Sequence, residues 1–176
     1  MKDRIELAKY FTELGFKIGA EVGVLQGSYS RALCRYNPEL KLYSIDAWGL
    51  LDKKESMRAF HVKMYERAKN KLAPHTVTLI REPSVEAAKR FVDGSLDFVY
   101  IDANHSYAAV MEDITTWTPK VRSGGIVSGH DYQLEEVIKA VDEYVGNNNL
   151  KLMQTDCDSY NKRSNKVEKS WYFIKP

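Results

Sequence analysis

Residues 97–107, Asp97-Phe98-Val99-Tyr100-Ile101-Asp102-Ala103-Asn104-His105-Ser106-Tyr107, and residues 124–132, Gly124-Gly125-Ile126-Val127-Ser128-Gly129-His130-Asp131-Tyr132, decide the fold. Each is a short apolar run that ends in acids and histidines. One helix length separates them, so both strands run the same way and end on the same rim of a parallel sheet. That rim, at the carboxyl ends of the strands, is where open α/β sheets hold ligands. Asp102, His105, His130 and Asp131 are therefore expected together there.

Working outward, strand and helix patterns alternate along nearly the whole chain. Asp3 and Glu6 form a capping box ahead of a first helix, with Ile5, Leu7, Ala8, Phe11 and Leu14 on its apolar side and Gly15 at its end. Strands are expected at Ile18–Gly23, Leu40–Asp46, Thr76–Ile80, Leu96–Asp102 and Gly125–Ser128, and two more at Leu150–Gln154 and Ser170–Ile174. Helices are expected at Ser28–Arg35, 55–72, Ser84–Phe91 and 107–118, followed by one carrying Leu134, Val137, Ile138, Val141, Tyr144 and Val145. Such alternation predicts an α/β domain with helices on both faces of the sheet. No internal repeat or composition break divides residues 1–176, so a single domain is expected. The polar stretch Thr155–Lys169 reads as a long loop, an insertion or a substrate-facing segment.

Composition narrows the function. Hydrophobic residues make up 44% and charged residues 28% of the chain, and the net charge is +2. Near-neutral charge gives no bulk electrostatic attraction to nucleic acid or membranes. The basic residues of 53–71 alternate with Glu55 and Glu66, as on a solvated helix face. No stretch approaches a membrane span, the amino terminus lacks the apolar core of a signal peptide, and Cys34 and Cys157 have no metal-type spacing. A cytoplasmic protein is expected. Trp171, Tyr172 and Phe173 suit either a packed strand or a partner surface, so a homo-oligomer stays open.

Glu21-Val22-Gly23-Val24-Leu25-Gln26-Gly27-Ser28 follows the first strand. Gly23 and Gly27 permit a tight turn and a close ligand. Ser28 and Ser30 open a helix whose free N–H groups favour a carboxylate, and Glu21 attracts an ammonium group. A ligand with both charges on one small unit is an amino acid. A pyrophosphate site needs a glycine where Val24-Leu25 stands, which disfavours a nicotinamide dinucleotide. Asp46, 19 residues after Gly27, can accept both ribose hydroxyls, and Trp48 can lie on an adenine or simply pack.

These blocks, with the run 97–132, resemble the class I S-adenosylmethionine-dependent methyltransferases, and more narrowly the small-molecule O-methyltransferases of cephalosporin hydroxylase-like and macrocin type. The resemblance spans about residues 18–145 and rests most on the IDxxHxY…GGxxxxHDY pattern. It implies a Rossmann-like, doubly wound, mostly parallel seven-stranded sheet whose last strand is antiparallel. It implies that Glu21, Gly23 and Gly27 hold the methionine part of the cofactor and Asp46 its ribose. Arg81-Glu82-Pro83-Ser84 would then approach the adenine. The acceptor would be a hydroxyl on a small molecule such as a sugar or natural product.

A hydroxyl must lose its proton to attack a methyl group. His105 is the expected base, with Asp102 and His130 beside it. Asp102 and Asp131 are hard ligands for a divalent cation, and metal-dependent relatives pair the Asp102 position with two residues placed like His130 and Asp131. Histidine at 130 departs from an all-carboxylate set, so magnesium, another divalent ion or no metal all stay open. Blander roles compete: a rim hydrogen bond for His130, an N-cap for Asp131, an ammonium contact for Asp102. His61 and His75 are expected to be structural or solvated, and Met57, Phe60 and Met64 to form core or a lid. A dinucleotide oxidoreductase and a non-catalytic binding module are the rival classes.

Overall fold

The computed structural model describes residues 1–161 and 166–176. Its strands are β1 (Ile18–Val22), β2 (Lys41–Asp46), β3 (Val77–Arg81), β4 (Leu96–Ile101), β5 (Val121–Gly129), β6 (Met153–Gln154), β7 (Ser159–Asn161), β8 (Lys166–Glu168) and β9 (Trp171–Ile174). Helices are α1 (Arg4–Glu13), α2 (Ser28–Tyr36), α3 (Glu55–Leu72), α4 (Ser84–Ala88), α5 (Tyr107–Trp117) and α6 (Glu135–Asn147). Seven strands form one sheet in the order β3-β2-β1-β4-β5-β9-β6. Neighbours from β3 to β5 pair in parallel, and β9 runs antiparallel to both β5 and β6. The expected sheet and its reversed last strand are both present. Among the described residues no helix is long and apolar enough to cross a membrane.

Strand β4 sits mid-sheet and is buried on both faces, as a continuous apolar run requires. Phe98 and Tyr100 point into a cluster with Leu7, Phe11, Tyr29, Leu33 and Leu42. Val99 and Ile101 point the other way, into a cluster with Ile114, Trp117, Val127 and Val141. The two-residue period of a strand thus builds two cores from one segment. Phe11 stacks on Phe98 with ring centroids 4.1 Å apart, locking α1 onto the sheet. Trp171 and Phe173 are buried on β9, so the aromatic tail packs within the chain; Tyr172 is half-buried.

Differences from the sequence reading are local. Helix α4 stops at Ala88, because the next N–H groups of Lys89, Arg90 and Phe91 bond three residues back and tighten the last turn. Strand β5 starts at Val121, not Gly125, and its register against β4 shifts between Leu96 and Phe98, a bulge at the glycine pair. The Leu150–Gln154 strand shortens to Met153–Gln154. Asp3 caps α1 by accepting from the N–H groups of Ile5 and Glu6, yet Glu6 reaches back to the N–H of Lys2, one residue before the cap. The expected loop over 155–169 falls partly outside the described residues; within them β7 and β8 pair antiparallel. On α3, Met64, Ala68 and Leu72 pack with Val24 and Trp48, whereas Met57 and Phe60 are exposed, so the stripe is core only in its second half.

Candidate active site

The strand tips are tied together beyond the sheet. Gly23 N–H donates to the Ile45 carbonyl at 2.8 Å, Asp102 N–H to Val22 at 2.7 Å, and His130 N–H to Ile101 at 3.0 Å. These bonds align Asp46, Gly23, Asp102 and His130 along one rim. A cleft of about 970 Å³ opens over it, lined at one end by Arg4, Glu21, Tyr29, Asp102 and His105 and at the other by Asp46, Pro83, Ser84 and Asp113. That volume is in the range of small-molecule sites.

Both turn glycines adopt left-handed backbone, Gly23 at φ +90° and Gly27 at φ +74°. A Cβ on Gly23 would lie 2.0 Å from the Asp102 carbonyl oxygen, and one on Gly27 would lie 3.0 Å from Leu72. Their missing side chains therefore make room for the protein's own chain, a reason the sequence reading did not supply. Beside them Glu21 is buried, and its carboxylate accepts from the Ser30 hydroxyl. Ser30 also meets Ser44 at 3.0 Å. Burial pushes the Glu21 carboxyl up to about 8, against the lowering by Ser30. A raised acid adds stability that is complete below its unfolded pKa near 4.5 and is lost as pH climbs through about 8. Glu21→Gln is accordingly expected to melt higher than the parent protein by a margin that widens across that window. Melting curves at several pH values check this; a margin independent of pH would contradict it.

Asp46 braces the rim. One carboxylate oxygen accepts from the N–H groups of Val24 (3.0 Å) and Leu25 (2.9 Å), the other from Trp48 N–H at 2.7 Å. Leu25 and Trp48 both carry positive φ, so one acid pins two left-handed residues in separate loops. The expected contact of Trp48 with a ligand is corrected. Its ring is 1% exposed, its Nε1 donates to the Leu25 carbonyl at 2.7 Å, and it packs on Tyr65 rather than lining the cleft. Ser28 does line the cleft and accepts from Lys71 Nζ at 2.9 Å.

Ser84 accepts from Trp117 Nε1 at 2.8 Å and donates to Asp113 Oδ1 at 2.5 Å. Asp113 was not singled out from the sequence. It lies on α5 among apolar residues, and burial pushes its carboxyl up to about 6. Arg4 and Asp158 were missed too. Arg4 comes from α1, far along the chain, and Asp158 from the segment read as a loop.

Asp102, His105, His130 and Asp131 come together at the rim. His105 Nε2 lies 2.9 Å from Asp131 Oδ2 and 3.7 Å from Asp102 Oδ1. His130 Nδ1 lies 3.2 Å from Asp131 Oδ2 and 3.8 Å from Asp102 Oδ2, with its Nε2 3.4 Å from Asp158. Asp131 reaches back to both rings because it adopts φ +60°, a conformation aspartate tolerates. It does not cap α6: Leu134 holds that position, and Asp131 accepts from the Gln133 side chain. Among the described residues, the ligand atoms of Asp102, His105 and Asp131 all converge within 4.8 Å; His130 stands behind them, 7% exposed. Ion pairing with Asp102 and then Asp131 raises His105 to about 10, making it an imidazolium at neutral pH. Burial opposes the charge on His130, but Asp131 and Asp102 outweigh it and raise that ring as well. His61, not promoted from sequence, lines the cleft with Nδ1 2.6 Å from Asp52.

A glycine turn after β1, an acid at the tip of β2, carboxylates at the tips of β4 and β5 and one reversed strand define the Rossmann-like class I methyltransferase fold. Residues 20–132 match the methyltransferase domain family, and the chain belongs to it. No curated protein matches the chain. Solved structures agree on the fold. The O-methyltransferase TomG of Streptomyces achromogenes, in complex with SAM, has a TM-score of 0.71 at 15% identity over 98% of this chain and 80% of its own. The O-methyltransferase of Bacillus cereus, in complex with SAH, has a TM-score of 0.65 at 13% identity over 98% and 80%. An rRNA methylase of Streptococcus thermophilus has a TM-score of 0.70 at 15% identity over 99% and 98%. Family membership stands against the dinucleotide oxidoreductase.

Proposed function

We propose that this chain transfers a methyl group from S-adenosylmethionine to a hydroxyl of a small molecule. The observation that carries this reading is the two-ended cleft, with Asp46 over one half and Asp102 and His105, backed by Asp131, over the other. S-adenosylmethionine supplies an activated methyl group, so the protein has only to hold both partners and manage one proton. Glu21, Gly23 and Ser28 bound the space for the methionine part, with Gly27 packed behind them against Leu72; Asp46 keeps acceptor capacity for the ribose, and Ser84 and Asp113 face the base. RNA is disfavoured as acceptor: the cleft wall carries the acids Asp46, Glu86, Asp102 and Glu112, which repel a phosphodiester chain. Both cysteines are free, which suits a cytoplasmic setting.

His105 and Asp102 line the cleft, so they are the groups of the cluster that an acceptor hydroxyl can reach. Two carboxylates with an imidazole behind them fit a divalent cation, and Asp102, Asp131 and His130 are the residues we assign to it. Such an ion supplies Lewis acidity toward the acceptor oxygen. His105, 2.9 Å from Asp131 and 3.7 Å from Asp102, is the group of the cluster placed to take the hydroxyl proton, and a cation held by those carboxylates would weaken their grip on its own proton.

Calorimetry with S-adenosylhomocysteine tests the reading; no binding would end it. Asp46→Ala is expected to weaken that binding by about 1.5–3 kcal/mol, the worth of hydrogen bonds to a charged group. Unchanged affinity would remove Asp46 from the ribose site.

A further inference from the structure

We propose that Arg4 binds the carboxylate of the cofactor's amino-acid tail, an inference that rests on the cofactor reading above. The serines at the start of α2 have other partners. Ser30 is buried against Glu21 and Ser44, and Ser28 accepts from Lys71. Among the described residues lining the cleft, Arg4 is the sole arginine or lysine, and it stands at the Glu21/Asp102 end. Asp102 flanks that end, so a ligand carboxylate arriving there needs a cation beside it.

Arg4 is built into place for this task. Its backbone N–H donates to Asp158 Oδ1 at 2.6 Å, and Asp158 Oδ2 accepts from Ser170 at 2.6 Å. The Arg4 carbonyl accepts from the Tyr29 hydroxyl at 3.0 Å, and the guanidinium lies 5.3 Å from the centre of the same ring. Its distance to Asp102 Oδ2, 3.9 Å, is too long for a hydrogen bond. The guanidinium, 29% exposed at the cleft over the Tyr29 ring and beside the Tyr100 hydroxyl, presents the rest of its fork, which matches a carboxylate in two-point contact. The buried Asp158 explains why the start of α1, distant in sequence from the rim, is held over it.

The test compares S-adenosylhomocysteine with its decarboxylated counterpart, S-adenosyl-3-thiopropylamine, by calorimetry on the intact protein. The parent protein is expected to prefer the carboxylated ligand on the order of 10–100-fold. In Arg4→Ala that preference should collapse toward one, with the amine-only ligand bound about as well as before. Arg4→Lys, which keeps charge and stem but not the fork, should retain an intermediate preference. Because both ligands are measured on the same variant, a general loss of stability cancels in the ratio. An undiminished preference in Arg4→Ala and Arg4→Lys overturns the proposal and leaves the cofactor reading intact. Failure of the parent protein to bind either ligand overturns both.

Discussion

Gly23→Ala is expected to cost the protein most of its stability, at least about 4 kcal/mol, which takes a domain of ordinary stability close to unfolding. Two effects add. Alanine at φ +90° is strained wherever it stands, and here its methyl group would sit 2.0 Å from the Asp102 carbonyl oxygen and 2.7 Å from Ala103 Cα. Those are backbone atoms, and Asp102 N–H is already committed to Val22 at 2.7 Å, so the neighbour cannot move without pulling β4 from β1. Gly27→Ala is the control. Its φ is also positive, but the nearest atom is the tip of Leu72 at 3.0 Å, a side chain that can shift, so a cost of about 1–2 kcal/mol is expected. Denaturant melts of the two variants check the contrast. Equal losses would mean that backbone conformation alone, and not the approach of the Asp102 loop, sets the requirement for glycine at 23.

That contrast shows where the sequence was legible and where it was not. The sheet could be read because β1, β2, β4 and β5 are apolar runs bounded by glycines and acids, and because helices of matching length lie between them. The rim could be read for the same reason: an acid directly after a buried parallel strand has few places to go but the carboxyl edge. What an apolar pattern cannot reveal is which partner fills the space beside a glycine. Gly23 reads as a seat for a ligand; it does line the cleft, but the room its missing side chain leaves is taken by residues 102 and 103. Trp48 had the right address for an adenine contact, but a positive φ turns its ring into the α3 interface. Asp113 was hidden inside an amphipathic helix, and Arg4 and Asp158 meet across 154 positions of chain. Each of these is a tertiary fact with no local signature. The histidines were legible as neighbours of carboxylates, but their charge was not. Only the 2.9 Å and 3.2 Å contacts to Asp131 show that both rings are biased toward the protonated form.

That bias shapes the largest expected catalytic effect. His105→Ala is expected to lower turnover by about 10²–10⁴-fold while leaving S-adenosylhomocysteine affinity nearly unchanged, the range for loss of a positioned base. A free imidazole would serve as base at neutral pH, but His105 is held near 10 by Asp102 and Asp131, so acting alone it would become competent only in alkaline solution. A cation held by Asp102 and Asp131 would weaken their hold on the His105 proton. The parent protein should therefore lose a comparable share of its turnover when divalent ions are chelated, and regain it when manganese or magnesium is restored. His105→Ala should respond much less, because chelation and the substitution disable the same step and their effects do not add. A parent rate indifferent to chelation, rising steeply only as pH approaches 10, would assign the proton to His105 without any cation. A His105→Ala rate equal to the parent's would remove the imidazole from the reaction.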